Sequence, residues 1–119
     1  MLEECFGPVT VLVRYRDAAD VEAVLSSLGG NLTATLHAEA AEPGAAAWLA
    51  RLSRFAGRVV FGGWPTGVAV APAMTHGGPY PATTTPTTSV GGTAIDRWLR
   101  PVTFQTAPPE LLPPELGAC

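Results

Sequence analysis

Lysine is absent from this chain of 119 residues, and its seven basic side chains are all arginine. Charged residues of either sign make up only 14% of it, where an ordinary soluble domain carries about 25%. The net charge is −3 and the arginines are scattered from Arg14 to Arg100. No basic stripe exists to neutralise a phosphate backbone, so nucleic acid is not an expected partner. Long hydrophobic runs are missing too. None approaches the roughly 18 apolar residues that a membrane span requires, and no charged-then-apolar leader is read at the start. Cysteine is scarce: Cys5 and Cys119 lie at opposite ends with no metal-ligand spacing between them. Neither a disulfide framework nor a metal centre is expected, and the composition reads as cytoplasmic.

What the chain does have is apolar mass. Hydrophobic residues make up 47% of it and the mean hydropathy is +0.24. One domain is expected from this length, burying roughly two-thirds of its unfolded surface. A small domain has much surface to cover and should be more polar than average. The surplus therefore implies apolar surface meant for further chain or another subunit.

The residues predict an α/β layer. Val9 to Tyr15 is apolar at successive positions, as in a strand covered on both faces. Asp17 is placed to cap a helix with Asp20 in its acidic first turn, and Val21, Val24, Leu25 and Leu28 give it one apolar face. Gly29-Gly30 is expected to end it through a left-handed conformation. Leu32 to His37 reads as a second strand. Glu42-Pro43 is expected to open a second helix whose buried stripe is Trp48, Leu49, Leu52 and Phe55, with Gly57 closing it. Arg58 to Phe61 is a third strand, so the predicted order is a parallel β-α-β-α-β layer.

Residues 62–89 lack helical or strand periodicity and are rich in Gly, Pro and Thr. A stretch of this length in a small domain is expected to be a packed binding loop. A short helix over 93–99 follows, with Ile95, Trp98 and Leu99 on one face and Pro101 as its stop. Val102 to Thr106 alternates apolar with polar, as an edge or inter-subunit strand would. The tail containing Pro108-Pro109 and Pro113-Pro114 reads as an extended wrap, and no internal repeat is expected.

The turn Glu3-Glu4-Cys5-Phe6-Gly7-Pro8 resembles the Glu-Glu-(apolar)-Phe-Gly-Pro signature of the NAD(P)-dependent aldehyde dehydrogenases. The resemblance continues over residues 2–116. Four further segments, Gly63-Trp64-Pro65-Thr66-Gly67-Val68, His76-Gly77-Gly78-Pro79-Tyr80-Pro81-Ala82-Thr83, Thr88-Ser89-Val90-Gly91 and Arg97-Trp98-Leu99-Arg100-Pro101-Val102, resemble the branch that oxidises 2-oxoglutarate semialdehyde (2,5-dioxopentanoate). The resemblance implies that residues 1–100 are the C-terminal part of a catalytic domain. It makes residues 101–119 an oligomerisation strand and tail of an enzyme that is a homo-oligomer when intact.

It also implies roles. Glu4 would accept hydrogen bonds from the nicotinamide ribose, its two carboxylate oxygens matching two vicinal hydroxyls. Phe6 would pack beside the nicotinamide. Trp64, Thr66 and Gly67 would line the mouth of the aldehyde tunnel, where Gly62 stands at a position that is commonly Asn in the family. The cofactor would be NADP or NAD, with NADP favoured by the branch.

No catalytic residue is expected within the chain. The family's nucleophilic Cys and its general-base Glu lie upstream of the signature, so the isolated chain is expected to be inactive. Cys5 occupies the motif's variable apolar position and reads as a small buried filler. His37 reads as structural, and His76 has no ligand-spaced partner. The fragment reading expects the reading frame to run on upstream of Met1. Two other readings stand beside it: a stand-alone, non-catalytic α/β binding or regulatory module, and a truncated partner lending its 102–106 strand to a full-length subunit.

Overall fold

In a computed structural model, residues 5–65 and 67–116 are described. The first regular element is helix α1, Ala18–Ser27. Asp17 caps it from extended backbone, its carboxylate accepting from the amides of Ala19 and Asp20 at 3.0 and 3.1 Å. Such a cap contributes about 1 kcal/mol to a helix. Arg16 adds a two-pronged contact to Asp20 at 2.9 Å for each prong. The chain then forms strand β1, Asn31–Leu36, helix α2, Ala45–Leu52, and strand β2, Ala56–Phe61.

β1 and β2 pair in parallel, in a register running from Asn31 opposite Ala56 to Leu36 opposite Phe61. The half-buried Val21, Val24 and Leu25 of α1 carry the predicted face. Leu52 and Ala45 of α2 are buried together with Ala56, and Trp48, Leu49 and Phe55 are half-buried around them. Arg51 reaches from α2 to Glu22 of α1 at 2.8 Å, tying the two helices together.

The loop after β2 packs through its glycine- and proline-rich backbone, not through its large apolar side chains, since Trp64, Val70 and Tyr80 all stand exposed. Its backbone at Gly77, Gly78 and Pro79 lies directly on the strand starts. A Cβ at Gly30 would meet the Pro79 carbonyl, one at Gly57 the Gly77 carbonyl, and one at Gly78 the Asn31 carbonyl. Gly30 donates its amide to the Tyr80 carbonyl at 3.2 Å. Thr88, only 5% exposed, accepts from the His76 amide at 2.8 Å and donates to the Val90 carbonyl at 2.9 Å.

Several expectations are corrected. The chain forms an α-β-α-β unit with two parallel strands among the described residues, not three. Val9 to Tyr15 joins no ladder among the described residues, and Leu12 is 91% exposed. A strand exists only through its neighbours, and β1 and β2 pair with each other. Val102 to Thr106 fails as a strand for the same reason, with Val102 and Phe104 exposed and Thr106 in left-handed backbone.

Cys5 is exposed rather than a buried filler, because none of the described residues covers it. α1 ends with Leu28 in extended backbone, and neither Gly29 nor Gly30 is left-handed. Those glycines serve instead for the close approach of Pro81 and Pro79. Gly57 likewise does not close α2. It lies inside β2 under the loop, and the helix ends through a turn in which the Phe55 amide donates to the Leu52 carbonyl at 3.0 Å.

Glu42 and Pro43 form a turn before α2, which starts after Gly44 at φ +89°. The short helix at 93–99 is a 3-10 helix, Gly92–Trp98, with Ile95, Trp98 and Leu99 exposed. The tail does hold a repeat. Pro-Pro-Glu-Leu occurs at 108–111 and again at 113–116, and each copy folds into a 3-10 turn.

The whole is loosely consolidated. Its radius of gyration is 20.4 Å, against about 13.5 Å for a compact chain of this length. Its accessible surface is 9754 Å², some 3,600 Å² above the roughly 6,100 Å² of a compact monomer of this mass. That surplus is several times the roughly 800 Å² that one partner gives to a standard interface.

Two outcomes follow from this packing. Gly57→Ala must displace the Gly77 backbone and should lower stability by about 1–3 kcal/mol, whereas Gly67→Ala, with nothing within 4 Å of its new methyl, should leave it unchanged. Urea midpoints followed by circular dichroism compare them, and equal midpoints would refute the packing. The second concerns acid. Arg16 holds the Asp20 carboxyl below the usual aspartate value. Because the folded value is depressed, the contribution of Asp20 to α1 is present above the unfolded value of about 4 and is lost as pH falls through the lower folded value. The helical signal of the native chain should exceed that of Asp20→Asn at neutral pH, and the gap should close on acidification. A gap that is constant with pH would contradict this.

Candidate functional site at the strand ends

Because β1 and β2 run in the same direction in register, they finish level. The Gly62 amide donates to the Leu36 carbonyl at 2.9 Å and seals that edge. Ligand sites of open parallel sheets form beyond the carboxyl ends of their strands. Here that edge collects His37, following β1, and Gly62-Gly63-Trp64, following β2. Gly62 turns the chain with φ +66°, a conformation that Gly adopts without strain. The indole of Trp64 then lies against the imidazole of His37, ring centroids 5.4 Å apart and planes tilted by 53°.

Two depressions flank this contact. An open groove of about 460 Å³ is lined by Trp64, Pro65 and Gly67, with Val59, Val60 and Met74 among its other walls. A cleft of about 410 Å³ lies between the helices over the end of β1, walled by Val21, Leu25, Trp48 and Leu52 and reaching His37. Of the charged side chains, Arg58 lines the groove and Asp17 and Glu42 line the cleft. Arg16 with Asp20 and Arg51 with Glu22 are helix contacts, and Arg58 donates to the Thr33 hydroxyl at 3.3 Å across the two strands. Among the described residues no three His, Cys, Asp or Glu side chains gather as a metal site would require.

The expected site residues divide accordingly. Trp64 and Gly67 share one groove. Thr66 between them lies outside the described residues, as does Glu4. Phe6 is 97% exposed, so its ring touches neither the groove nor the strand ends. His37 is the residue that sequence reasoning placed in a structural role and that the structure places against Trp64. The signal was available: residues following two level, adjacent parallel strands must be neighbours.

Similarity to known proteins decides what this edge belongs to. Alpha-ketoglutaric semialdehyde dehydrogenase 2 of Azospirillum brasilense is 54% identical over 112 residues, covering 92% of this chain and 21% of that protein. Alpha-ketoglutaric semialdehyde dehydrogenase of Acinetobacter baylyi is 48% identical over 112 residues, with the same coverage of 92% and 21%. The chain matches a segment of these dehydrogenases. It spans about a fifth of the length of the curated relatives it matches. No protein-family model matches it. A match over 92% of the chain leaves too few residues outside it to exclude the Trp64 loop, so the groove lies within the shared segment. Among the described residues, no helix is long and apolar enough to cross a membrane.

Proposed function

We propose that this chain is the nicotinamide-clamping and tunnel-lining segment of an NAD(P)-dependent aldehyde dehydrogenase that oxidises 2-oxoglutarate semialdehyde to the dicarboxylate. The observation that carries the reading is the 54% identity to a named dehydrogenase of this kind across nearly the whole chain. The surface supports it. A stand-alone module should close over its apolar residues, whereas this chain leaves Phe6, Leu12, Trp98 and Leu99 outside. Residues 1–100 belong in this reading to the catalytic domain. Residues 101–119 provide a strand and tail for assembly into a homo-oligomer, in which 102–106 would gain the neighbour it lacks here.

Fit to a nicotinamide dinucleotide rests on chemistry that the chain presents. Phe6 offers a flat apolar ring with nearly all of its surface available, which suits packing beside a pyridine ring and excluding water from it. Glu4, two residues earlier, supplies a carboxylate able to accept both vicinal ribose hydroxyls and so restrict the ring's position. Gly7-Pro8 shapes the turn that presents both. The bound dinucleotide supplies the hydride acceptor. NADP is favoured by the branch. Trp64 and Gly67, with Thr66 between them, form a wall of the aldehyde's entry. The nucleophile and the general base come from sequence beyond this segment.

The test is a chimera in which this chain replaces the matching segment of the Azospirillum brasilense relative. The chimera should oxidise the semialdehyde. Glu4→Gln removes one of two acceptor oxygens and should slow hydride transfer by about ten- to a hundredfold, with the melting temperature unchanged. Stopped-flow appearance of the reduced nicotinamide reads the rate. Native kinetics in the variant would overturn the role of Glu4, and a folded chimera without activity would overturn the proposed function.

A further inference from the structure

We infer that His37 is a positioning residue: its imidazole buttresses the Trp64 indole and so fixes one wall of the groove that admits the aldehyde. This rests on the reading of Trp64 as tunnel-lining.

Both rings are exposed, and the backbones that carry them are held differently. His37 directly follows β1, whose last carbonyl, on Leu36, accepts the Gly62 amide at 2.9 Å. Trp64 follows two glycines, Gly62 and Gly63, and stands 81% exposed. A Cβ at Gly62 or at Gly67 would meet nothing within 4 Å, whereas one at Gly63 would meet Val60 Cγ1 at 3.3 Å, so the loop is confined at Gly63 and open on either side of it. Among the described residues, the ring contact that Trp64 makes is with His37, at 5.4 Å and 53°. That separation and tilt fall within the range of attractive aromatic pairs. The His37 imidazole is therefore the ring surface, presented from the β1 side across the strand pair, against which the indole rests.

The consequence is specific. A wall already held in place need not be ordered when a short oxo-acid enters, so less binding energy is spent on immobilising it. Loss of the buttress should weaken substrate capture and leave the chemical step alone, because His37 reaches the substrate only through Trp64.

In the chimera, His37→Ala should raise KM for the semialdehyde about three- to tenfold with kcat within about twofold, and His37→Phe, which restores a ring, should recover most of the loss. An unchanged KM in His37→Ala overturns the inference. So does a joint fall of kcat and melting temperature that His37→Phe does not repair, since that marks a merely structural residue. A ligand-independent measurement separates this from the proposed function. With Trp48 and Trp98 replaced by Phe, the fluorescence anisotropy of Trp64 should drop in His37→Ala and not in His37→Phe. An inactive parent chimera would sink the dehydrogenase reading, while unchanged anisotropy would sink the buttress whatever the activity.

Discussion

Two six-residue strands lying parallel and ending level are the constraint on which the rest of this structure depends. Level ends bring the residue after one strand beside the residues after the other, which is how His37 meets Trp64. Level starts create the opposite edge, where the loop backbone at Gly77 to Pro79 settles on Gly30, Asn31 and Gly57. The ladder therefore fixes the His37–Trp64 edge at one end and an anchoring edge at the other. The loop bridges them, leaving β2 at the first edge and being held down at the second. Any change that shifts the strand register moves both at once.

The elements most readable in the sequence were those whose cause is local. The Asp17 cap, the apolar spacing of α1 and the Trp48 to Leu52 stripe each act within a few residues. The cap and the stripe are found, and the α1 face holds for Val21, Val24 and Leu25 while Leu28 stands exposed beyond the helix. β1 was readable because Thr33 and Thr35 alternate with apolar residues, and β2 because Val59, Val60 and Phe61 form a short apolar run bounded by glycines. What was not readable depends on distance along the chain. The glycines at 29, 30 and 57 look like helix stops from sequence, yet their reason is a proline- and glycine-rich backbone arriving from some fifty or twenty residues later. Val9 to Tyr15 has the composition of a buried strand and no partner to bury it, since composition records what a segment needs and not whether this chain supplies it.

The candidate site shows the same division. The Gly62 to Val68 loop could be located from its residues alone, and two of its three named positions share a groove. The ring partner of Trp64 could not be read from spacing, because 27 positions separate His37 from it in sequence. It could be deduced only by combining two inferences, that the strands are parallel and that they are neighbours. A histidine after a strand reads as structural when that strand is considered singly.

The exposed apolar surface links the fold to the function. Leu12, Val70, Trp98 and Leu99 are large side chains left open on a chain with little charge to keep it dispersed. Apolar area in water is unfavourable at about 25 cal/mol for each Å², so an evolved sequence retains this many exposed large apolar side chains only where something covers them. The relatives, about five times as long over the same match, contain chain enough to do so. On the proposed reading, the apolar run after Phe6 would be a strand awaiting neighbours, and the acid and aromatic ring before it would be positioned when those neighbours arrive. The clamp and its sheet would then form together, and cofactor positioning would depend on the same contacts that complete the fold.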